Sequence, residues 1–321
     1  YRQYWYRSGV NEVMRAELQD VVAKTHECCA WEAGKSTVID IGANDGTLLS
    51  YYGRSIRKIA FEPAYNLTPQ LMRHCDLAYT EFFPGRSSAT LPDRSILAIH
   101  SIAMFYDLED PKAFVQEIDR LLTPDGVWVV QFQDLAQMVE TTAFDNIVAE
   151  HLCYYSLRSF RRLLIGTNLV IAKVERRAIN GGSLRLYVRR ADHRYEMDLS
   201  ERDYWMWETP FVTQLALEKF AWEVGERRKM IQAAVEQAVD RYGFVDLYAA
   251  STKSSTLLQY CGLDHSVIRQ AAERTREKHG RVTAGTRIAI VSEEYWRAAP
   301  AKVTLVGAWQ FNERSGPAVY D

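Results

Sequence analysis

The 321-residue sequence has a formal net charge of −2, and its 47% hydrophobic and 25% charged residues are typical of a globular protein. This composition excludes collagen-like, disordered and coiled-coil proteins, and the small net charge offers no general attraction for nucleic acid. No apolar run approaches the ~18 residues of a membrane span, and the N-terminal residues do not resemble a signal peptide. We therefore expect a small-molecule substrate and neither a nucleic-acid nor a membrane partner. The composition leaves the oligomeric state open.

The cysteine inventory points to a reducing environment. The five cysteines are odd in number, and none of them forms a CxxC pair. This spacing argues against a disulfide framework or a structural zinc site, so we predict no metal ligands. A cytoplasmic location fits these observations best.

The first half of the chain alternates between helical and strand patterns. Asn11 is a plausible N-cap for the first helix, and Asp110-Pro111 is a strong start signal for a later one. Strands that alternate with helices indicate a parallel, doubly wound sheet. Strands are predicted at 37–41, 57–63, 95–105 and 127–132, with helices at 12–33, from 48 onward and at 111–122.

A second pattern follows, and the chain length itself favours about two domains. A strand with period-two alternation is predicted at 180–190, after which a long helical stretch covers 212–242. A further strand at 244–251 runs into a Ser/Thr/Lys turn and a helix, and a last strand is predicted at 302–309. We therefore predict one α/β domain over 1–200 and a second over 201–321.

The segment Asp40-Ile41-Gly42-Ala43-Asn44-Asp45-Gly46 lies at the first strand-to-helix turn, where doubly wound sheets bind ligands. Its glycines allow close backbone approach, and free amides at a helix start favour a carboxylate. Glu62 ends the next strand, 22 residues after Asp40, and an acid at that position can accept hydrogen bonds from two ribose hydroxyls.

Two nucleotide cofactors use this layout. A dinucleotide fold requires GxGxxG, whose middle glycine makes room for a pyrophosphate, and Asn44 occupies that position here. S-adenosylmethionine has no phosphate, and its amino and carboxylate groups suit an acid together with backbone amides. The pattern favours the methyl donor over nicotinamide and over a ligand-free connector. The aromatic pair Phe82-Phe83 suits either an adenine sandwich or core packing.

Seven segments carry a resemblance to a known family, and they extend over almost the whole chain. They are YRSGVNEVMR (6–15), VIDIGANDGTLL (38–49), IAFEP (59–63), SIAMFYDLEDP (101–111), EHLCYYS (150–156), NGGS (180–183) and ASTKSSTLLQYCGLD (250–264). They resemble the class I S-adenosylmethionine-dependent C-methyltransferases, whose best-known members methylate deoxy sugars attached to a nucleotide diphosphate.

The resemblance implies a Rossmann-like methyltransferase domain followed by a C-terminal Rossmann-like α/β domain that helps to hold a nucleotide sugar. Members of the family often carry a small N-terminal zinc-binding module with paired CxxC motifs; this sequence shows no such motif and leaves open whether the protein has the module or lacks it. The cofactor-binding residues that it implies, together with those of the glycine turn, are Tyr6, Arg7, Ser8, Asp40, Gly42, Asn44, Asp45, Gly46, Glu62, Pro63, Phe83 and Ser101. The implied substrate-binding residues are Tyr6, Tyr154, Asn180, Ser251 and Lys253.

The resemblance places a catalytic His–Glu pair at His151 and Glu150, with Tyr155 as a possible donor to an enolate oxygen. Carbon methylation of a keto sugar requires a base that removes the proton next to the carbonyl, and a histidine has a suitable pKa. The stretch departs from the family at Val148 and Ala149, where a tyrosine and a histidine are usual. A structural histidine that only packs is the alternative interpretation.

The C-terminal turn Ala250-Ser251-Thr252-Lys253 offers a cation, hydroxyls and turn amides, which together suit a phosphate. The resemblance assigns it to the nucleotide part of the substrate, although bulkier residues replace the glycines that usually flank it. A lysine at a helix start is otherwise a solvated side chain that opposes the helix dipole.

The sequence therefore predicts a methyltransferase that acts on carbon of a nucleotide-linked keto-deoxysugar in natural-product biosynthesis. Departures in the expected lining, including Gln131-Phe132-Gln133-Asp134, leave an N- or O-methyltransferase as the alternative. A third hypothesis is a homologue that binds the cofactor without catalysing transfer.

Overall fold

The computed structural model describes residues 2–192 and 200–306. The chain folds as two compact units, and the segment 136–151 belongs to the second unit although it interrupts the first in sequence. The domain boundary predicted at 200 stays a prediction. The first unit comprises Tyr1–Leu135 and Leu152–Thr209, and the second comprises Ala136–His151 and Pro210–Asp321.

Ten helices are assigned in the described residues, and two of the predicted caps are confirmed. The Asn11 side chain accepts from the amides of the first turn of α1, and Asp110 accepts from Ala113 at the start of α4. The predicted helix 12–33 ends earlier, because the chain becomes extended at Cys29 and turns at Gly34 to enter the first strand. The helices are α1 (Glu12–Cys28), α2 (Thr47–Ser50), α3 (Thr68–Leu71), α4 (Pro111–Leu121), α5 (Leu135–Thr141), α6 (Leu157–Leu163), α7 (Ser200–Glu208), α8 (Gln214–Tyr242), α9 (Thr252–Cys261) and α10 (Glu293–Ala298).

A seven-stranded sheet forms the centre of the first unit, with the order β3-β2-β1-β4-β5-β7-β6. All pairs are parallel except those of β7, which runs antiparallel to β5 and β6. The predicted parallel, doubly wound sheet is confirmed, and the strand predicted at 180–190 is β7 of this sheet. The strands are β1 (Thr37–Ile41), β2 (Arg57–Phe61), β3 (Leu77–Tyr79), β4 (Ile96–Ile102), β5 (Leu122–Gln133), β6 (Leu169–Arg177) and β7 (Ser183–Arg190).

The strand order reverses at β1, which lies between β2 and β4, and this is where open α/β sheets bind ligands. All five residues of β1 are buried, because helices cover both faces of a parallel sheet. Ile39 and Ile41 belong to one core cluster, whereas Val38 packs with α1 on the other face. Successive side chains alternate between faces, so Asp40 is on the same side of the sheet as Val38.

The second unit has its own four-stranded parallel sheet with the order β10-β9-β8-β11. The predicted strand–turn–helix unit is confirmed as β8 followed by α9. Residues 307–309 of the predicted last strand lie outside the described residues. Of the helices within 2–192 and 200–306, none combines the length and apolar character that a bilayer span requires. The strands are β8 (Val245–Tyr248), β9 (Ile268–Glu273), β10 (Ala289–Ser292) and β11 (Thr304–Val306).

Candidate active site

The glycine turn after β1 has an unusual backbone at three positions. Gly42, Asn44 and Gly46 have φ values of +72°, +52° and +82°, all in the left-handed region. A Cβ at Gly42 would be strained by the positive φ and would lie 3.1 Å from Cγ of Met104, so the Met104 side chain would have to shift. These glycines therefore leave the backbone of the turn accessible to a ligand at the carboxyl end of β1.

Glu62 connects the end of β2 to this turn. Its Oε2 accepts from the amide of Asn44 at 2.8 Å, and its Oε1 accepts from the amide of Ala64 at 2.8 Å. Burial raises the pKa of Glu62, and the two amide hydrogen bonds offset only part of that rise. Each carboxylate oxygen has a second lone pair, so Glu62 is still able to accept from hydroxyls. Its predicted role with ribose stays a prediction.

Asp40 is almost fully buried beside this acid, with a relative exposure of 3%. Burial, together with the charges of Glu62 and Asp45, raises the pKa of Asp40 well above its usual range. Both of the neighbouring charges that act on Asp40, those of Glu62 and Asp45, are negative. A positive charge beside a buried carboxyl group stabilises its ionised form. Asp40 is therefore suited to a ligand with a cationic group, such as the ammonium group of S-adenosylmethionine.

The N-terminal segment, residues 2–10, lies across the glycine turn and is called the strap below. Asn44 holds it at two points: its Nδ2 donates to the carbonyl of Tyr6 at 3.1 Å, and its Oδ1 accepts from the amide of Ser8 at 2.9 Å. The Gly9 amide donates to Oδ2 of Asp45 at 2.9 Å. The structure thus brings together the predicted residues of the strap and of the turn. Arg7 lies between the two bonded strap residues.

Phe83 is a member of the core. Its ring packs edge-on against Phe61 and Phe114, with centroid separations of 5.1 and 5.0 Å. Its neighbour Phe82 is 55% exposed and is the more accessible of the two rings. The sequence left two roles open for this pair, an adenine sandwich and core packing. The contacts of Phe83 are those of core packing.

Ser101 and Pro63 occupy the ends of β4 and β2. The Ser101 hydroxyl is fully buried and accepts from the indole of Trp128 at 3.1 Å, so the side chain is used within the sheet. Pro63 follows Glu62 directly and is half-buried. Their predicted contacts with a cofactor stay predictions.

The altered stretch 131–134, which the sequence placed in the lining of the expected substrate pocket, lies at the end of β5. Gln131 is buried, donating to Glu17 at 3.0 Å and accepting from Arg185 at 2.8 Å. Asp134 is also buried and accepts from the hydroxyl of Tyr204. Both altered residues therefore have partners in the interior of the first unit.

His151 and Lys253 belong to the same unit, the second. Burial lowers the pKa of His151; Glu150 opposes this shift, and the positive charge of Lys253 adds to it. The backbone amide of His151 donates to the carbonyl of Val148 at 3.1 Å, which closes a tight turn. A lowered pKa favours the neutral imidazole, which is the form that can accept a proton. Glu150 is exposed.

The turn between β8 and α9 contains Ser251 and Lys253. The Ser251 hydroxyl caps α9 by accepting from the amide of Ser254 at 3.2 Å. Burial lowers the pKa of Lys253, and the carboxylate of Asp145 opposes that shift. Ala249 has φ +78°, so the chain turns sharply as it leaves β8.

Sequence reasoning missed Asp145 and Arg227, both in the second unit. Burial raises the pKa of Asp145, whereas the charges of Lys253 and Arg227 lower it. The ring of the preceding Phe144 packs against Tyr260 of α9 at 5.5 Å, which ties this short turn to the helix. Neither residue lies in a motif, so only the fold indicates that two cations and an acid share this neighbourhood.

Tyr154, Tyr155 and Asn180 belong to the first unit. The Tyr155 hydroxyl is buried; burial raises its pKa, and its interaction with Cys153 adds to that rise. Its ring packs against Phe105, with centroids 5.2 Å apart. Asn180 has φ +58° in the turn before β7. Within 2–192 and 200–306, no three His, Cys, Asp or Glu side chains are grouped as a metal ion requires.

Comparisons with known proteins cover both units. Residues 10–174 match the family model described as a methyltransferase domain, and residues 178–315 match the model described as the C-methyltransferase C-terminal domain. The C-methyltransferase NovU of Streptomyces niveus is 26% identical over 279 residues, a match that covers 85% of this chain. The chain spans 66% of the length of that relative.

Solved structures resemble somewhat more than half of the chain at low identity. A chain from the complex of the Haloferax volcanii Trm112 methyltransferase activator with a methyltransferase is 17% identical, with a TM-score of 0.46; the match covers 57% of this chain and 94% of that one. The PH0226 protein of Pyrococcus horikoshii is 14% identical, with a TM-score of 0.44, and the match covers 58% and 94% of the two chains.

Proposed function

We propose that this chain, which belongs to the S-adenosylmethionine-dependent methyltransferase family, methylates a carbon atom of a keto sugar linked to a nucleotide diphosphate. The observation that carries the proposal is the match of residues 178–315 to the C-methyltransferase C-terminal domain. The similarity to NovU, itself described as a C-methyltransferase, supports carbon as the acceptor. The sugar and its nucleotide rest on the resemblance of the motifs in the second unit.

The residues at the carboxyl end of β1 fit the cofactor. Asp40 is a buried acid that a positive charge would stabilise, and Glu62 retains lone pairs for hydroxyl groups. Gly42 has φ +72°, a left-handed conformation that a side chain would strain. When bound, S-adenosylmethionine supplies an electrophilic methyl group on a sulfonium.

His151 is the proposed base. A neutral imidazole takes the proton from the carbon next to the keto group, which leaves an enolate as the nucleophile. Tyr155 is the proposed donor, since burial keeps its phenol protonated. Lys253 and Ser251 are proposed to hold the diphosphate. Lys253 would supply a positive charge, and Ser251 lies at the N-terminus of α9, where backbone amides attract an anion. Alignment and stabilisation of the enolate would be the main contributions to the rate.

The alternative acceptors, nitrogen and oxygen, were suggested by the altered stretch at 131–134. The polar groups of Gln131 and Asp134 are bonded within the first unit, which removes part of that argument. The test is to incubate the chain with S-adenosylmethionine and a panel of nucleotide-linked keto sugars, amines and alcohols. Mass spectrometry detects the added methyl group, and NMR identifies the atom that carries it. Methylation of oxygen or nitrogen alone would contradict the proposal.

Replacing Glu62 by Gln should weaken binding of S-adenosylmethionine. The amide side chain keeps one acceptor but turns an NH₂ group towards the other backbone amide, which then lacks a partner. We expect the Kd to rise roughly 10- to 100-fold, since an unsatisfied buried donor costs ~1–3 kcal/mol. Titration calorimetry measures the change, with the exposed Glu109→Gln as the matched control. An unchanged Kd in E62Q would rule out this role.

Replacing Lys253 by Met should raise KM for the nucleotide substrate roughly 10- to 100-fold, the effect of losing a hydrogen bond from a charged group. Binding of S-adenosylmethionine should not change. Because the Lys253 charge lowers the pKa of His151, the acid limb of the rate profile should also move to higher pH. Lys229→Met, which removes an exposed lysine of α8, is the control. Equal KM values in K253M and wild type would contradict the phosphate assignment.

A further inference from the structure

The Asn66 side chain forms two hydrogen bonds with the backbone of the strap, as the Asn44 side chain does. These two bonds of Asn66 are called the clasp below. The Oδ1 of Asn66 accepts from the amide of Tyr4 at 3.0 Å, and its Nδ2 donates to the carbonyl of the same residue at 2.8 Å. The adjacent Tyr65 amide donates to the carbonyl of Arg2 at 3.2 Å. Two asparagines, one in the turn after β1 and one in the segment after β2, therefore hold successive parts of the strap by their backbone.

Near its end, at Gly9, the strap packs closely against the side chains of Asp45 and Thr47. A Cβ at this position would lie 2.8 Å from Oγ1 of Thr47 and 2.9 Å from Oδ2 of Asp45, distances that real Cβ atoms do not adopt. The carbonyl of Gly9 accepts from Nη1 of Arg15 at 2.8 Å, and Asn11 then caps α1. The contact between strap and turn therefore has no room for a side chain.

Hydrogen bonds, not burial, keep the strap in place. Residues 2–6 and 10 are exposed and residues 7–9 are half-buried, so the strap contributes little to the apolar core. The hydrogen bonds form one connected path: the strap bonds the Asn44 side chain, and the Asn44 backbone bonds Glu62. A ligand seated against Glu62 and the glycine turn would lie beside this path.

We propose that Asn66 is a positioning residue: by clasping Tyr4, it keeps the strap docked across the glycine turn and so slows dissociation of S-adenosylmethionine. The inference rests on the proposed function, because it takes the glycine turn as the cofactor site. Asn66 acts through the strap, since its side-chain amide is committed to the backbone of Tyr4.

The test compares wild type with Asn66→Ala in two measurements. Hydrogen exchange of the Ser8 and Gly9 amides, which donate to Asn44 and Asp45, should become roughly tenfold faster without any cofactor, because two clasp bonds are lost. Stopped-flow dissociation of S-adenosylmethionine should accelerate by a similar factor, while the thermal midpoint stays unchanged. Asn66→Asp, which keeps the acceptor but loses the donor, should have an intermediate effect in both measurements.

The matched control is Asn168→Ala, an exposed asparagine whose backbone amide donates to Asp119 and whose backbone carbonyl accepts from Ala191, so the substitution keeps both bonds. It should leave both rates unchanged. Faster strap exchange with an unchanged dissociation rate would contradict the inference and leave the proposed function intact, and unchanged exchange would contradict the clasp itself. If wild type does not bind S-adenosylmethionine, the proposed function fails and the retention role fails with it, whereas the exchange data still report on the clasp.

Discussion

His151→Ala should abolish exchange of the acidic proton on the acceptor carbon with solvent deuterium, while binding of S-adenosylmethionine stays at the wild-type level. A positioned general base contributes roughly 100- to 10,000-fold to a rate, so methyl transfer should fall by a comparable factor. Exchange of the substrate proton is followed by NMR in D₂O, and transfer by mass spectrometry. Separating the two readouts assigns the loss to proton removal and not to the methyl donor.

The pH profile provides a second measurement on the same residue. Burial lowers the pKa of His151, with an opposing effect of Glu150. A base acts only when deprotonated, so kcat/KM should fall as the pH drops through a pKa below the ordinary histidine value, and should be level above it. In H151A this acid limb should disappear from the residual activity.

The control is His265→Ala, which removes an exposed histidine of the same unit. It should leave exchange, transfer and the acid limb as in wild type. Wild-type proton exchange in H151A would exclude His151 as the base. Loss of cofactor binding in H151A would instead indicate a folding defect, and thermal unfolding of the variant checks for that.

Local signals in the sequence predicted much of the fold. The start of α4 was predicted because Asp110 and Pro111 satisfy requirements set by neighbouring residues alone. The glycine turn was predicted for the same reason, since left-handed backbone at Gly42 and Gly46 leaves a local sequence signature. Sequence patterns located β1, β2, β4, β5, β7, β8 and β11, but they missed β3, β6, β9 and β10 and placed the end of α1 too late.

Features that depend on distant partners were not predictable in this way. The strap clasp joins Asn66 to Tyr4 across 62 positions, and an asparagine in a turn carries no signal that it bonds elsewhere. The inclusion of residues 136–151 in the second unit follows from packing and not from composition. Phe83 illustrates a third limit, because an aromatic side chain has the same pattern in a core as against an adenine.

A buried charge network is the clearest example of such long-range pairing. Arg185 of β7 is fully buried and donates to Glu17 of α1 at 2.8 Å, 168 positions away, and to Asp20 at 2.6 Å. Arg177 donates to the same Glu17 at 2.7 Å. This network holds α1 against the sheet, and α1 directly follows the strap that crosses the glycine turn.

Arg185→Leu should therefore destabilise the first unit, by up to about 3–5 kcal/mol, because the buried Glu17 loses one of its two guanidinium partners and keeps only Arg177. Arg177→Leu should cost less, since its side chain is partly exposed. Urea unfolding followed by tryptophan fluorescence measures both, with the exposed Arg54→Leu as the control. A loss below about 1 kcal/mol in R185L, the range of an exposed ion pair, would contradict the importance of this network.

The sign of the pH dependence distinguishes this charge effect from simple loss of packing. Burial raises the pKa of Glu17, but the hydrogen bond from Arg177 and the charge of Arg185 outweigh it, so the net pKa is lowered. In wild type this contribution is present above the pKa of the unfolded chain and is lost as the pH falls through the lower folded value. In R185L the folded pKa should rise, so the deficit relative to wild type should shrink at acid pH, where Glu17 is neutral. A deficit that stays constant with pH would assign the loss to the cavity left by the side chain instead.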